Sequence, residues 1–272
     1  MPISNVEFIE KLHTVVEHFN NFLKYSDNKK PEQSSYFEFG SGYDLVIPIA
    51  IKLLGFNSLT CIDIRELVFL ELINNTINRF SELKDRIPFH YTIPENIASL
   101  SKLNYKQVLK ENFSIDYLAP VDARATGLIS SSIDFILSNA TMEHIPKIHI
   151  MDILIECYRL MKPGSIMSNA IDYRDHWSFF DKNISCYNFL QYSPGQWEKL
   201  NPSIMYQNRM RHREYIEIIN HTNFEILEER IVFPEKHEID QLKKINLDPY
   251  YKNNFNFEEI SIKSSYLVLR KN

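Results

Sequence analysis

Glu38-Phe39-Gly40-Ser41-Gly42-Tyr43-Asp44, with Ile62-Asp63-Ile64 downstream of it, is the stretch that decides the fold. A short apolar run, 35–39, enters two glycines separated by one residue. Glycine tolerates positive φ, so the backbone can turn sharply there and approach a ligand closely. An apolar segment without strand alternation, 44–54, follows and stops at Gly55, which is well placed to end a helix. A second apolar run, 58–64, closes on Asp63. Strand, tight turn, buried helix, strand is the unit that builds a parallel sheet with helices on its faces.

The pattern extends in both directions. Upstream, Phe8, Ile9, Leu12, Val15, Val16, Phe19, Phe22 and Leu23 recur at helical spacing and predict a helix over 6–25. A polar linker, 26–31, ends it, so residues 1–33 read as a helical cover. Downstream, a helix is expected over 66–80, a looser, partly helical segment over 85–111, and strands at 114–119 and 133–138. An amphipathic helix over 147–161 stops at Lys162-Pro163-Gly164, and a fifth strand covers 165–173. Two more strands, 224–233 and 261–270, are joined by a long polar connection without a clear crossover helix. That predicts an antiparallel pairing at one edge. The expected fold is therefore α/β: one doubly wound domain, 1–272, around a mostly parallel seven-stranded sheet with an antiparallel edge strand. The stretch 175–213 breaks the alternation and is rich in Trp, Phe, Tyr, Asn and Arg, so it reads as an inserted cover over the site.

Composition narrows the function classes. Of 272 residues, 44% are hydrophobic, enough to bury a core and to exclude a disordered chain. Thirty basic against 35 acidic side chains leave a net charge of −5, without the basic balance expected of a nucleic-acid binder. No apolar run reaches the roughly 18 residues of a membrane span, and residues 1–10 lack the features of a secretory leader. Cys61, Cys157 and Cys186 follow no metal spacing. Three free thiols fit a reducing, cytoplasmic setting.

In doubly wound sheets, ligands sit at the carboxyl ends of the strands. Asp63, 23 residues after Gly40, can there accept hydrogen bonds from two ribose hydroxyls; its structural alternative is an N-cap for the next helix. A dinucleotide site wants Gly-x-Gly-x-x-Gly, so that a helix N-terminus meets a pyrophosphate. Leu45 stands at the third glycine position and disfavours that cofactor. S-adenosylmethionine has no phosphate but carries an amine and a sulfonium, which an acid beside the turn would suit. Glu38, just before Gly40, Ser41 and Gly42, fits that need.

These residues resemble the first motif of the class I S-adenosylmethionine-dependent methyltransferases, an acid followed by x-Gly-x-Gly-x-Gly, with Asp44 standing for the third glycine. The resemblance continues in Ile62-Asp63-Ile64 and in Val121-Asp122-Ala123, where the family often sets an acid against the adenine amino group. It is strongest in 133–145, Ile-Asp-Phe-Ile-Leu-Ser-Asn-Ala-Thr-Met-Glu-His-Ile, and in Leu160-Met161-Lys162-Pro163-Gly164-Ser165. It spans 35–173. The resemblance implies a Rossmann-like fold and S-adenosyl-L-methionine as cofactor. The cofactor-binding residues it implies are Glu38, Gly40, Ser41, Gly42, Asp63, Asp122, Ala123 and Asn139.

Methyl transfer is an in-line displacement, catalysed largely by holding nucleophile and methyl in place. A base is needed only where the nucleophile must lose a proton. The candidates are His144 after the fourth strand, His176 after the fifth, and Asp172. The spacing offers no metal set. Arg174, Trp177, Tyr206, Arg209 and Arg211 are the candidates for acceptor binding, the arginines through forked contacts to an anionic group. A solvated helix start is the plain alternative for 208–213. The aromatics Trp177, Phe179, Phe180 and Tyr187 form either a pocket wall or a small core of the insert. The expected function is methyl transfer to an oxygen of a small molecule, a sugar or another biosynthetic intermediate. N-methylation, a nicotinamide oxidoreductase and a non-catalytic methyltransferase-like subunit stand as alternatives.

Overall fold

The computed structural model describes residues 3–95, 97–203 and 205–272. Its sheet has seven strands: β1 (Ser35–Phe39), β2 (Ser58–Ile62), β3 (Ile115–Leu118), β4 (Ile133–Asn139), β5 (Met161–Asp172), β6 (Phe224–Val232) and β7 (Ser264–Lys271). The order is β3-β2-β1-β4-β5-β7-β6, mostly parallel with an antiparallel edge. Strand order reverses at β1 and β4, which neighbour each other without being consecutive, so the doubly wound reading holds. The helices are α1 (Asn5–Tyr25), α2 (Val46–Leu53), α3 (Leu70–Glu82), α4 (Tyr105–Phe113), α5 (Lys147–Leu160), α6 (Trp177–Phe180), α7 (Pro194–Leu200), α8 (His212–Asn220), α9 (Lys236–Leu242), α10 (Pro249–Asn254) and α11 (Phe257–Ser261).

The chain forms two compact units. The first comprises Met1–Ser138, Glu156–Ser168 and Leu269–Asn272; the second comprises Asn139–Ile155 and Asn169–Val268.

In the first unit, α1 starts where a capping box closes. Ser4 Oγ accepts from the Glu7 amide at 3.2 Å, and Glu7 Oε2 accepts from the Ser4 amide at 2.6 Å. The helix buries Phe8, Leu12, Val15, His18 and Phe22, one stripe at spacings of three and four. Phe22 packs 4.9 Å from Phe56 and 5.3 Å from Phe135, centroid to centroid. His18, buried on that apolar stripe, meets Ser168 Oγ at 2.8 Å and so is satisfied. β1 lies between β2 and β4, with Phe37 opposite Thr60 on one side and Ile136 on the other. A strand covered on both faces reads as a continuous apolar run, which is why 35–39 shows no alternation.

Two elements depart from expectation. α3 begins at Leu70, four residues later than the periodicity of 66–80 indicates. Residues 64–69 are held as a loop instead: the Phe69 amide donates to the Tyr43 carbonyl at 3.0 Å, and the Leu67 amide to Tyr117 Oη at 3.3 Å. β5 begins at Met161, ahead of the expected Lys162-Pro163-Gly164 turn. Lys162 Nζ there pairs with Asp134 at 2.5 Å, and the Met161 carbonyl accepts from Lys271 Nζ at 2.8 Å.

The second unit has its own core. Cys186, Tyr187, Phe189, Leu190 and Trp197 pack with Leu242, Tyr251, Phe255 and Ile260. The last four belong to or flank α9, α10 and α11, three short helices in the connection between β6 and β7. The sequence shows no clear crossover helix in that connection. Each is one to two turns long with one or two apolar anchors, too few to show a period, and only the shared core makes them stable. All three cysteines are free and buried. No helix among the described residues is long and apolar enough to cross a membrane.

Candidate functional site

In the first unit, the end of β1 and the end of β2 meet at the glycine turn. Gly40 and Gly42 have φ of +74° and +77°, a region that costs an L side chain strain. A Cβ on Gly42 would meet nothing within 4 Å, so the requirement there is conformation rather than room. The Gly40 amide donates to the Ile62 carbonyl at 2.9 Å, which fastens the turn to β2. Asp63 follows directly. Its carboxylate is buried, 3% exposed, and accepts from Tyr117 Oη at 3.0 Å. Burial raises its pKa to about 7, against the lowering effects of Tyr117 and of the Gly42 and Ser41 amides. The carboxylate therefore ties β2 to the turn. The N-cap alternative is overturned: α3 starts after Phe69, and no side chain caps it.

Glu38 is fully enclosed, and Oε2 accepts from Tyr36 Oη at 2.8 Å. Burial, aided by the charge of Asp63, lifts its pKa to about 8, with the Tyr36 bond working the other way. Ser41 is buried in the turn itself. Asp44, at the third motif position, pairs with Lys11 at 2.6 Å and caps α2 by accepting from the Val46 amide at 3.2 Å. Leu45 is fully buried with φ of +50°. Asp122 lies on the loop after β3 beside half-buried Ala123 and is gripped by the Arg124 guanidinium at 2.6 Å. The unit thus brings Glu38, the glycine turn and Asp63 together. Ile64, quoted only as part of a motif, and Phe69, not singled out in the sequence, are exposed by 58% and 57%. The Phe69 ring lies tilted against that of Tyr43, which follows Gly42, with centroids 5.4 Å apart.

In the second unit, Asn139 opens the segment after β4, and Ala140 takes φ of +47° while its amide bonds the Ala170 carbonyl at 2.9 Å. That bond joins the ends of β4 and β5 and gathers the candidate catalytic residues. The rings of His144 and His176 lie 4.9 Å apart, edge to face. His144 Nδ1 is 2.7 Å from the Tyr206 carbonyl. A carbonyl only accepts, so Nδ1 carries the proton and Nε2 the lone pair. Burial lowers the pKa of His144, helped by neighbouring His176 and opposed by the Tyr206 bond.

Asp172 is clasped by Arg174 through contacts of 2.9 and 2.6 Å, and His176 Nε2 stands 3.7 Å from it. Burial alone would raise its pKa; His176 and the Arg174 fork outweigh burial and hold the carboxyl well below the usual range. Gln207, which sequence reasoning missed, takes the His176 amide on Oε1 and donates to the Arg174 carbonyl, both at 3.0 Å. Glu143 was quoted only as part of a motif. It is 3% exposed, and among the described residues neither carboxylate oxygen closes a hydrogen bond. An unpaired buried group of this kind costs on the order of 1–3 kcal/mol. Burial and the charge of Asp172 push its pKa well up.

Two assignments are corrected. Arg209 and Arg211 were expected to bind an anionic acceptor. Arg209 is buried, donates to the Phe189 and Tyr192 carbonyls at 2.7 Å, and lies over the Trp197 ring. Arg211 is fully enclosed and donates to the carbonyls of Tyr173, Ile260 and Ile262. Their guanidiniums satisfy carbonyls in short helices and the loops beside them, and none of that geometry is open to a ligand. Of the aromatics, Tyr187 belongs to the core, whereas Trp177, Phe179 and Phe180 are exposed by 38%, 52% and 73%. Tyr206 is half-buried and contributes its carbonyl to His144.

No family description and no curated protein matches the chain. Solved structures do. Geranyl diphosphate C-methyltransferase from Streptomyces coelicolor A3(2), in complex with Mg2+, geranyl diphosphate and S-adenosyl-L-homocysteine, aligns over 97% of this chain and 77% of its own, at 10% identity and a TM-score of 0.53. A geranyl diphosphate methyltransferase in complex with SAM aligns over 98% and 90%, at 11% identity and 0.53. A protein from Pyrococcus horikoshii OT3 aligns over 96% and 91%, at 12% identity and 0.51. The chain has the fold of the class I S-adenosylmethionine-dependent methyltransferases.

Proposed function

We propose that the protein transfers the methyl group of S-adenosyl-L-methionine to an oxygen of a small-molecule acceptor. The observation that carries this reading is the buried Asp63 carboxylate at the end of β2, set against the positive-φ glycine turn at the end of β1. A carboxylate placed there can accept further hydrogen bonds from the ribose hydroxyls of the cofactor. Exposed Ile64 and the Tyr43–Phe69 pair give apolar surface on the same loops for the adenine. Glu38 offers the methionine amine a carboxyl oxygen as hydrogen-bond acceptor.

The nicotinamide alternative fits poorly. A dinucleotide needs the first amides of α2 for its pyrophosphate, but Asp44 already caps the Val46 amide, and a buried Leu45 stands where glycine would be required. The two geranyl diphosphate methyltransferases similar in fold were solved with S-adenosyl-L-homocysteine and with SAM, which supports the same choice. In the second unit, His144 and His176 supply imidazoles beside a buried acid, and we assign activation of the acceptor oxygen to them. With Arg209 and Arg211 committed to backbone carbonyls, a hydroxyl-bearing acceptor suits this unit better than a strongly anionic one.

Thermal denaturation with and without S-adenosyl-L-homocysteine tests the reading. A ligand that binds only the folded state raises Tm, and 100 Kd of it adds about 2.7 kcal/mol. Asp63→Ala should abolish most of that rise. A rise with NAD and none with S-adenosyl-L-homocysteine would overturn the proposal.

A further inference from the structure

The sequence spacing offered no metal site, yet among the described residues the fold gathers one set of ligand atoms. Glu143, His144 and His176 each place one such atom within 4.8 Å of the other two. Three features of this cluster point to an ion rather than to plain packing. Glu143 is buried with both carboxylate oxygens lacking a hydrogen-bond partner among the described residues. His176 Nε2 is buried and likewise closes no hydrogen bond. His144 is oriented by the Tyr206 carbonyl so that Nε2 presents a lone pair, which is how outer partners fix metal-binding imidazoles. Arg174 pairs with Asp172, a neighbouring acid, so Glu143 is the acid of the cluster left without a cationic partner.

We propose that Glu143, His144 and His176 bind one divalent first-row metal ion. Two imidazoles and one carboxylate make a donor set of intermediate softness, suited to zinc, iron(II) or manganese(II) and ill suited to calcium. Bonds of about 2.1 Å bring tetrahedral ligand atoms to roughly 3.4 Å from one another, so the side chains close in slightly on binding. Three protein ligands leave a position open.

This deepens the methyl-transfer reading and rests on it for its consequence. An acceptor hydroxyl at the open position would lose its proton to water, because coordination lowers its pKa. The resulting alkoxide is the nucleophile that methyl transfer to oxygen requires. The ion is unchanged at the end.

The test is calorimetry of the chelator-stripped full chain with Zn2+ and with Mn2+ alone, without S-adenosyl-L-homocysteine. One ion per chain is expected. Glu143→Gln, His144→Ala and His176→Ala should each weaken it by about 100-fold or more. The control His237→Ala, at an exposed position, should leave it unchanged. S-adenosyl-L-homocysteine binding, measured on the same samples, reports folding and tests the cofactor reading separately. An ion bound without S-adenosyl-L-homocysteine binding keeps this site and sinks the methyl-transfer reading; the reverse does the opposite. If Glu143→Gln fails to fold, the wild-type chain loaded with Cu2+ must show two imidazole nitrogens in its paramagnetic resonance spectrum. Absence of stoichiometric binding, binding unaffected by His176→Ala, or a spectrum without both nitrogens overturns the proposal.

Discussion

Affinity for S-adenosyl-L-homocysteine should rise with pH through neutrality, with Asp63 as the group responsible. Both ribose hydroxyls donate, so the carboxyl must be ionised to accept from them together. In the apo protein, burial holds its pKa at about 7. The sign follows: below that value the free protein is mostly protonated there, and binding must first remove the proton. If only the ionised form binds, the apparent Kd is multiplied by 1 + 10^(7 − pH). That factor is about 11 at pH 6, about 2 at pH 7 and about 1.1 at pH 8, a tenfold loss from pH 8 to pH 6, or roughly 1.4 kcal/mol. At pH 7 about half a proton should be released per ligand bound. Titration calorimetry at pH 6, 7 and 8, in two buffers of different ionisation enthalpy, measures both quantities. Asp63→Asn should bind more weakly at pH 8 and show no slope. Glu38, lifted to about 8 partly by the charge of Asp63, titrates nearby, so Glu38→Gln should retain the slope. A wild-type Kd constant from pH 6 to 8, or the same slope in Asp63→Asn, refutes the assignment.

Three further outcomes are expected. Glu38 has its folded pKa raised, so the stability it contributes is complete below about 4.5 and is lost as pH rises toward about 8, at up to about 1.4 kcal/mol per unit; Glu38→Gln should flatten that decline in urea unfolding of the apo protein. Asp122→Asn should raise the Kd for S-adenosyl-L-homocysteine roughly 10–100-fold through loss of a charge-assisted bond worth on the order of 1.5–3 kcal/mol; unchanged affinity moves adenine recognition elsewhere. Arg211→Met should cost roughly 3–5 kcal/mol in urea unfolding while S-adenosyl-L-homocysteine still binds below the transition, because three buried carbonyls lose their donor; weakened acceptor binding at unchanged stability would restore the ligand role withdrawn here.

The fold and the glycine turn were legible in the sequence for a local reason. A strand buried on both faces must be a continuous apolar run, and a positive φ wants glycine, so 35–39, Gly40, Gly42 and the strand-ending Asp63 each carry their meaning within a few residues. The alternation of strands and helices supplied the rest of the sheet, down to the edge formed by the last two strands. What only the tertiary structure decided depends on partners far away in the chain. Arg209 and Arg211 read like a ligand patch, since an arginine in sequence does not reveal whether its five donors face solvent or, as for Arg211, carbonyls 38 to 51 residues distant. α9, α10 and α11 carry too few apolar residues to show a period and are stable only on the core they share with Tyr187 and Trp197. Glu143 and His144 are adjacent, but His176 follows 32 residues later and joins them only because the ends of β4 and β5 are bonded through Ala140 and Ala170. No spacing rule spans a strand crossover, so local chemistry is written in the sequence, while the meeting of distant groups is written in the packing.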